Sequence, residues 1–73
     1  MLRNRVREFR ELHQLSQEEL AQSIDVTMRT IIRIEVDPQY LPSCATMLKL
    51  ANYFNVRLGV LFDTEPRPVG KAV

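Results

Sequence analysis

The sequence has 73 residues, a formal net charge of +1 and a hydrophobic fraction of 45%. This length allows one domain with a modest core, and no apolar run approaches the ~20 residues that a membrane-spanning helix requires. The single cysteine, Cys44, excludes an internal disulfide and a zinc site with paired cysteines. The arginine-rich start lacks the apolar stretch of a signal peptide, so we expect a cytoplasmic protein.

The first segment is predicted to be a helix over residues 2–14. Apolar residues recur at a spacing of three in this segment and just after it, which places them on one helical face: Val6, Phe9, Leu12 and Leu15. Arg5, Arg7, Glu8 and Glu11 are expected on the opposite, solvated face.

Two further helices are predicted between residues 17 and 36. Ser16 and Glu19 have the spacing of a capping box, so a second helix is expected over residues 17–24. Asp25 stands where that helix must end, because aspartate tolerates a left-handed backbone better than most residues. Thr27 is a favourable N-cap for a third helix over residues 28–36, whose inner face carries Ile31 and Ile34. Two such helices joined by a short turn form a helix-turn-helix.

The last third of the chain is predicted to add a loop and two helices. Residues 36–42 contain two prolines, and Ser43 is expected to cap a helix over residues 44–54 that ends at Asn55. Its inward side chains are predicted to be Cys44, Met47 or Leu48, Ala51 and Phe54. A short apolar helix is expected over residues 58–62.

These segments predict an all-α fold, a compact five-helix bundle built around the helix-turn-helix. The helices are expected at residues 2–14, 17–24, 28–36, 44–54 and 58–62. Residues 1–63 would form the domain, and residues 64–73, with two prolines and a glycine, a flexible C-terminal tail.

A family resemblance covers most of this bundle. The helix-turn-helix of the phage Cro and repressor type, called the XRE family, is similar to the stretch QEELAQSIDVTMRTIIRIEV. Its other helices resemble the segments NRVREFRELHQL, LKLANYFNV and LGVLFD. Ala21 is the small residue where the two central helices cross, while Asp25 replaces the glycine that is usual in the turn. The resemblance implies a sequence-specific DNA-binding transcriptional regulator, specifically a repressor, that binds double-stranded DNA.

In that geometry the third helix lies in the major groove, with its N-terminal half near the base edges. The residues at the family's base-contacting positions are Thr27, Met28, Arg29 and Arg33. Arg29 and Arg33 are four apart and share a helical face, and arginine recognises guanine through O6 and N7. Met28 is expected to meet a thymine methyl group. Ile32 either touches a thymine methyl or packs on Tyr40 or a neighbouring element.

Contacts to the DNA backbone are expected from a second group of residues, Gln17, Thr30 and Ser43. Gln17 matches a family glutamine that contacts the backbone, and the helix N-termini at Gln17 and Ser43 favour phosphate. The resemblance also implies a partly buried ion pair between Arg10 and Glu35, which would tie the first helix to the end of the third.

A two-fold dimer on a near-palindromic operator is expected, with half-sites about one turn (~34 Å) apart. We predict the homodimer contact at Leu58, Val60, Leu61 and Phe62, with Tyr53 beside them. The alternative is a protein-interaction adaptor or antitoxin-like partner with the same fold. The near-neutral charge, the apolar Met28 and Ile32, and the negative charge of Asp37 in the loop favour it. The sequence contains no catalytic set and no phosphate-binding loop, so no enzyme activity, cofactor or metal is expected.

Overall fold

The computed structural model describes residues 2–64, which form five helices and one short pair of strands. The elements are β1 (Leu2–Asn4), α1 (Val6–Leu12), α2 (Gln17–Ile24), α3 (Met28–Val36), α4 (Cys44–Phe54), α5 (Leu58–Leu61) and β2 (Phe62–Thr64). The five-helix prediction is confirmed, and the bounds of α2, α3 and α4 agree with it.

The caps that delimit α2, α3 and α4 are those that the sequence predicts. The Ser16 hydroxyl accepts a hydrogen bond from the Glu19 amide at 3.0 Å, and the Glu19 carboxylate accepts one from the Ser16 amide at 2.8 Å. The side chains of Thr27 and Ser43 accept from the amide three residues ahead and so begin α3 and α4. Asp25 and Asn55 end α2 and α4 in the left-handed conformation.

The predicted start of the first helix was wrong, since α1 begins at Val6 and ends at Leu12. Residues 2–4 instead pair antiparallel with β2, with Leu2 opposite Thr64 and Asn4 opposite Phe62. This pairing also ends α5 at Leu61, one residue earlier than expected. Each strand has three residues, which is too short for the alternating pattern of a strand to be recognised in the sequence. Of the predicted tail, Thr64 belongs to β2 and residues 65–73 lie outside the described part of the chain.

The core lies where α2 and α3 pack on each other and on the remaining helices. Its buried members are Val6, Leu20, Ala21, Ile24, Ile31, Ile34, Leu50, Phe54, Leu61 and Phe62. Leu20 and Ile31 have no exposed surface, so the two helices of the helix-turn-helix share one apolar seam. α3 therefore has one fixed face and one outward face.

Two predictions of burial were wrong, those of Cys44 and Leu12. Cys44 is exposed, and Leu12, at the end of α1, is 73% exposed. Of the alternatives Met47 and Leu48, Met47 packs against the core and Leu48 is exposed, while the fully buried Leu50 was not predicted. Between Leu2 and Thr64, no helix has both the length and the apolar character needed to cross a bilayer.

Candidate nucleic-acid interface

The outward face of α3 carries the side chains that the sequence singles out for base contacts. Ile31 and Ile34 hold the opposite face in the core, while Met28 is 44% exposed and both arginines, Arg29 and Arg33, are exposed. Because Arg29 and Arg33 are one turn apart on a straight helix, their side chains leave α3 on the same side. This face is therefore open to a large ligand.

The first turn of α3 is held mainly by local contacts. The Thr27 side chain accepts a hydrogen bond from the Thr30 amide at 3.3 Å, and the two hydroxyl oxygens lie 3.0 Å apart. Among the side chains of residues 4–62, Arg29 has no ion-pair partner. Its guanidinium is thus available to a ligand, whereas Thr27 already serves as the helix cap.

Arg33 lies closer to the end of α3 and has two neighbours. Its guanidinium carbon sits 4.3 Å from the centroid of the Tyr40 ring, and an Nη atom lies 3.9 Å from an Asp37 carboxylate oxygen. The side chain nevertheless remains 55% exposed. The two arginines of this face therefore differ, since one extends freely and the other is held against the loop.

The last turn of α3 is joined to α1 by an almost buried ion pair. Arg10 donates to both carboxylate oxygens of Glu35, at 2.7 and 3.2 Å, and also to the Leu15 carbonyl at 2.7 Å. The side chains are only 12% and 2% exposed. Hydrogen bonding to the Glu35 carboxylate raises the pKa of Arg10 above its ordinary value because it stabilises the charged guanidinium. The structure thus places together the two residues that the resemblance pairs.

Gln17 joins the same network, a role that the sequence analysis missed. Its side-chain amide donates to a Glu35 carboxylate oxygen at 3.1 Å, so the carboxylate connects α1, α2 and α3. An amide nitrogen carries two hydrogens, and this bond uses one of them. The contact of Gln17 with the DNA backbone stays a prediction, for which the second amide hydrogen is left. No local pattern in the sequence relates residues 17 and 35.

Asn4 makes a second tie to the end of α3. In an α-helix the Ile34 carbonyl would accept from the amide four residues later, but that residue is Pro38, which has no N–H. The Asn4 side-chain amide donates to this carbonyl at 3.0 Å, and its oxygen accepts from the Val6 amide at 3.1 Å. Pro38 is the one sequence signal that could have shown the need for such a donor.

The comparisons with known proteins agree with this geometry. Residues 6–61 match the family described as "Helix-turn-helix". The chain belongs to the XRE-type helix-turn-helix family. That family consists of DNA-binding regulators and not of enzymes. The resemblance predicted from the sequence is confirmed.

Several relatives share nearly the whole chain. An uncharacterized HTH-type transcriptional regulator of Methanocaldococcus jannaschii is 38% identical over 64 residues, covering 88% of this chain and 96% of the relative. Two uncharacterized HTH-type transcriptional regulators of Archaeoglobus fulgidus are 41% and 36% identical over 61 residues each. These matches cover 84% of this chain, and 86% and 84% of the relatives.

The other residues predicted at the DNA interface differ in their exposure to solvent. Ser43 is exposed at the start of α4, where its hydroxyl accepts from the Thr46 amide at 3.1 Å. Thr30 and Ile32 are half-buried, so neither lies fully open on the outward face of α3. In residues 2–64, no group of three His, Cys, Asp or Glu side chains is arranged to hold a metal ion.

The residues of the predicted dimer contact differ in exposure. Leu61 and Phe62 are buried in the core of the single chain, and Leu58 is half-buried against the same core. Val60 is the exposed residue of the four, at 39%, and Tyr53 on α4 is comparably exposed. A dimer contact at this end of the domain stays a prediction, and its exposed apolar surface is that of Val60 and Tyr53.

Proposed function

We propose that this protein is a sequence-specific transcriptional regulator that inserts α3 into the major groove of double-stranded DNA. The observation that carries the proposal is the asymmetry of α3. Its last turn is tied to α1, α2 and Asn4, and its first turn presents Met28 and Arg29 to solvent. A recognition helix needs this arrangement because its N-terminal residues approach the base edges while the rest stays rigid.

Base recognition is assigned to Thr27, Met28, Arg29 and Arg33. Arg29 has a free guanidinium that can donate to both O6 and N7 of a guanine. The exposed thioether of Met28 suits the methyl group of thymine. Thr27 has a free hydroxyl hydrogen besides its capping role when Thr30 is the donor of their 3.0 Å hydroxyl contact. Arg33 extends the same face by one turn.

Backbone contacts are assigned to the starts of α2 and α4 and to Thr30. At Gln17 the donors are the second hydrogen of the side-chain amide and the backbone N–H of the first turn, which favour a phosphate. At the equivalent place on α4 the exposed Ser43 hydroxyl donates to the Thr46 hydroxyl oxygen at 3.0 Å, so a phosphate there would exchange for that contact or bind the backbone N–H groups of the first turn. Thr30 is half-buried and hydrogen-bonded to Thr27, so its contribution would be the smallest of the three.

We propose further that the protein acts in the cytoplasm as a repressor and as a two-fold dimer on a near-palindromic operator. One domain with two base-contacting arginines has few specific contacts, and a second linked copy raises the affinity through effective concentration. In the predicted contact region, the exposed apolar side chains are those of Val60 and Tyr53. Light scattering should show Val60→Glu as a monomer at concentrations where the wild type is a dimer. A monomeric wild type at high micromolar concentration would contradict the dimer.

The test of DNA binding is a fluorescence anisotropy titration of a labelled random-sequence duplex at low and at moderate salt. The affinity should fall steeply with salt, with a slope of about −0.9 per neutralised phosphate on a logarithmic plot. Arg29→Ala should weaken binding at both salt concentrations. Arg7→Ala is the matched control, because it removes the same charge from an exposed side chain on α1.

An equal loss of DNA affinity in Arg29→Ala and Arg7→Ala would show that only the total charge of the protein matters. It would contradict a binding interface on α3. Absence of binding by the wild type at low salt would overturn the proposal.

The alternative, a protein-interaction adaptor or antitoxin-like partner, would then be favoured. One observation supports that alternative: large apolar side chains outside the core are exposed at Leu12, Val36 and Leu41. Anisotropy of the labelled protein with candidate partner proteins would then be measured.

A further inference from the structure

The loop after α3 begins with a turn that brings Tyr40 back next to the helix. Asp37-Pro38-Gln39-Tyr40 forms a β-turn in which the Tyr40 amide donates to the Asp37 carbonyl at 3.1 Å. Aspartate is favoured at the first position of such a turn and proline at the second. The Asp37 carboxylate also accepts from the Gln39 amide at 2.9 Å. The turn therefore determines where Tyr40 lies.

Tyr40 is a rigid platform at that place because its ring is partly buried against the core. The Arg33 guanidinium lies over this ring at 4.3 Å, and Asp37, one turn further along the chain, lies at its side at 3.9 Å. Two neighbours on different sides restrict a side chain that otherwise samples many rotamers. The guanidinium still has unused N–H groups, since an arginine carries five donors and remains half exposed here.

We propose that Tyr40 is a positioning residue for sequence recognition: together with Asp37 it holds Arg33 in the orientation in which Arg33 binds a base. This inference rests on the proposed DNA-binding function and adds a specificity device to it. Arg29 is unrestrained and loses its rotamer freedom on binding. Arg33 has lost part of that freedom in the free protein, so less entropy is lost when it binds a base that fits its orientation. A base that does not fit gains no such advantage, and the contact is therefore more selective.

The expected effect follows from the strength of an exposed cation–π contact, which corresponds to about two- to fivefold in an equilibrium constant. The probe is a duplex enriched by the wild-type protein from a random pool, with random-sequence duplex as the reference. Tyr40→Leu keeps an apolar side chain against the core but removes the ring. It should lower the ratio of the two affinities by about two- to fivefold and leave the affinity for random DNA unchanged.

The matched control is Tyr40→Phe, which keeps the ring and should keep the wild-type ratio. A double-mutant cycle with Arg33→Ala separates positioning from general damage to the fold. In the Arg33→Ala background, Tyr40→Leu should change the ratio no further. Asp37→Asn keeps an acceptor for the Gln39 amide and removes the charge, so it should raise binding to random DNA while lowering the ratio.

An independent measurement uses the free protein without DNA. The ring of Tyr40 should shift the NMR signals of the Arg33 δ-methylene protons upfield, and this shift should vanish in Tyr40→Leu and persist in Tyr40→Phe. Additive effects of Tyr40→Leu and Arg33→Ala, or a higher ratio in Tyr40→Leu, would overturn the proposal while wild-type DNA binding stands. If the wild type binds no DNA at low salt, both proposals fail together.

Discussion

The two ends of α3 are held in different ways. At the last turn, Arg10, Gln17 and Asn4 reach Glu35 and the Ile34 carbonyl from three other segments of the chain. At the first turn, the Thr27 cap is local, and Met28 and Arg29 extend into solvent. The anchored end carries long-range side-chain hydrogen bonds, and the free end carries side chains that we assign to base contacts.

This difference separates stability from recognition along one helix. Changes at the anchored end should alter the free energy of unfolding, because they leave partly buried polar groups without partners. Changes of the exposed Met28 and Arg29 should alter binding and hardly affect stability, because these side chains have no tertiary partner to lose. Thr27 lies between the two cases, because its side chain also caps the helix. Four substitutions test this contrast, in decreasing order of their expected effect on stability.

The largest effect is expected for Arg10→Ala. It leaves the almost buried Glu35 carboxylate without its charged partner, which costs about 3–5 kcal/mol in comparable buried pairs. In a domain of this size the melting temperature should fall by roughly 10 °C or more. Thermal unfolding followed by circular dichroism measures it. Arg7→Ala, on the same helix but in an exposed pair with Glu11, should change the melt very little. An unchanged melt of Arg10→Ala would remove the ion pair from the account of stability.

Asn4→Ala should have the next largest effect, about 1–3 kcal/mol. The Ile34 carbonyl then loses its only donor among the described residues, since Pro38 cannot replace it. Urea unfolding gives the change in free energy. Asn4→Asp is the sharper variant, because it keeps the acceptor for the Val6 amide and puts a carboxylate against the carbonyl. Wild-type stability of Asn4→Asp would show that this hydrogen bond contributes nothing.

Thr27→Ala should destabilise the protein by about 1 kcal/mol through loss of the N-cap of α3. Thr27→Ser keeps the accepting oxygen and should remain close to the wild type. The same urea experiment compares the two. Equal destabilisation by both substitutions would mean that the methyl group, and not the cap, matters at this position.

Arg29→Ala should leave the free energy of unfolding within about 0.5 kcal/mol of the wild type. Alanine has the best helix propensity, so a slight gain is equally acceptable. If the two ends of α3 differ as described, the same variant should bind DNA more weakly in the anisotropy titration. A loss of stability as large as that of Asn4→Ala would break the distinction between the two ends.

Most of the helix-turn-helix was predictable because its signals are local. Ser16 with Glu19, Thr27, Asp25 and Asn55 act within one turn of their own helix, and the buried faces of α2 and α3 repeat with the helical period. The candidate base contacts follow from the same period, since they are the residues opposite Ile31 and Ile34. The helical period did not show that Arg29 is free and that Arg33 is held by Tyr40 and Asp37.

The wrong bounds at the two ends of the domain come from a contact between distant segments. The strand pair displaced the start of the first helix and ended α5 one residue early. The hydrogen bond from Gln17 to Glu35, at 3.1 Å, was missed because the two residues meet only after α3 has packed on α2.

By itself, the sequence determined the helices, their caps, the helix-turn-helix family and the outward face of α3, because short-range hydrogen bonds and periodicity decide those features. Only the tertiary structure decided how α3 is anchored, since Arg10, Gln17 and Asn4 meet its last turn across sequence separations that no local pattern encodes. The tertiary structure also decided that Arg29 extends freely while Arg33 lies on Tyr40. The β-turn after α3 places the Tyr40 ring next to Arg33, and Arg29, one helical turn earlier, has no such neighbour.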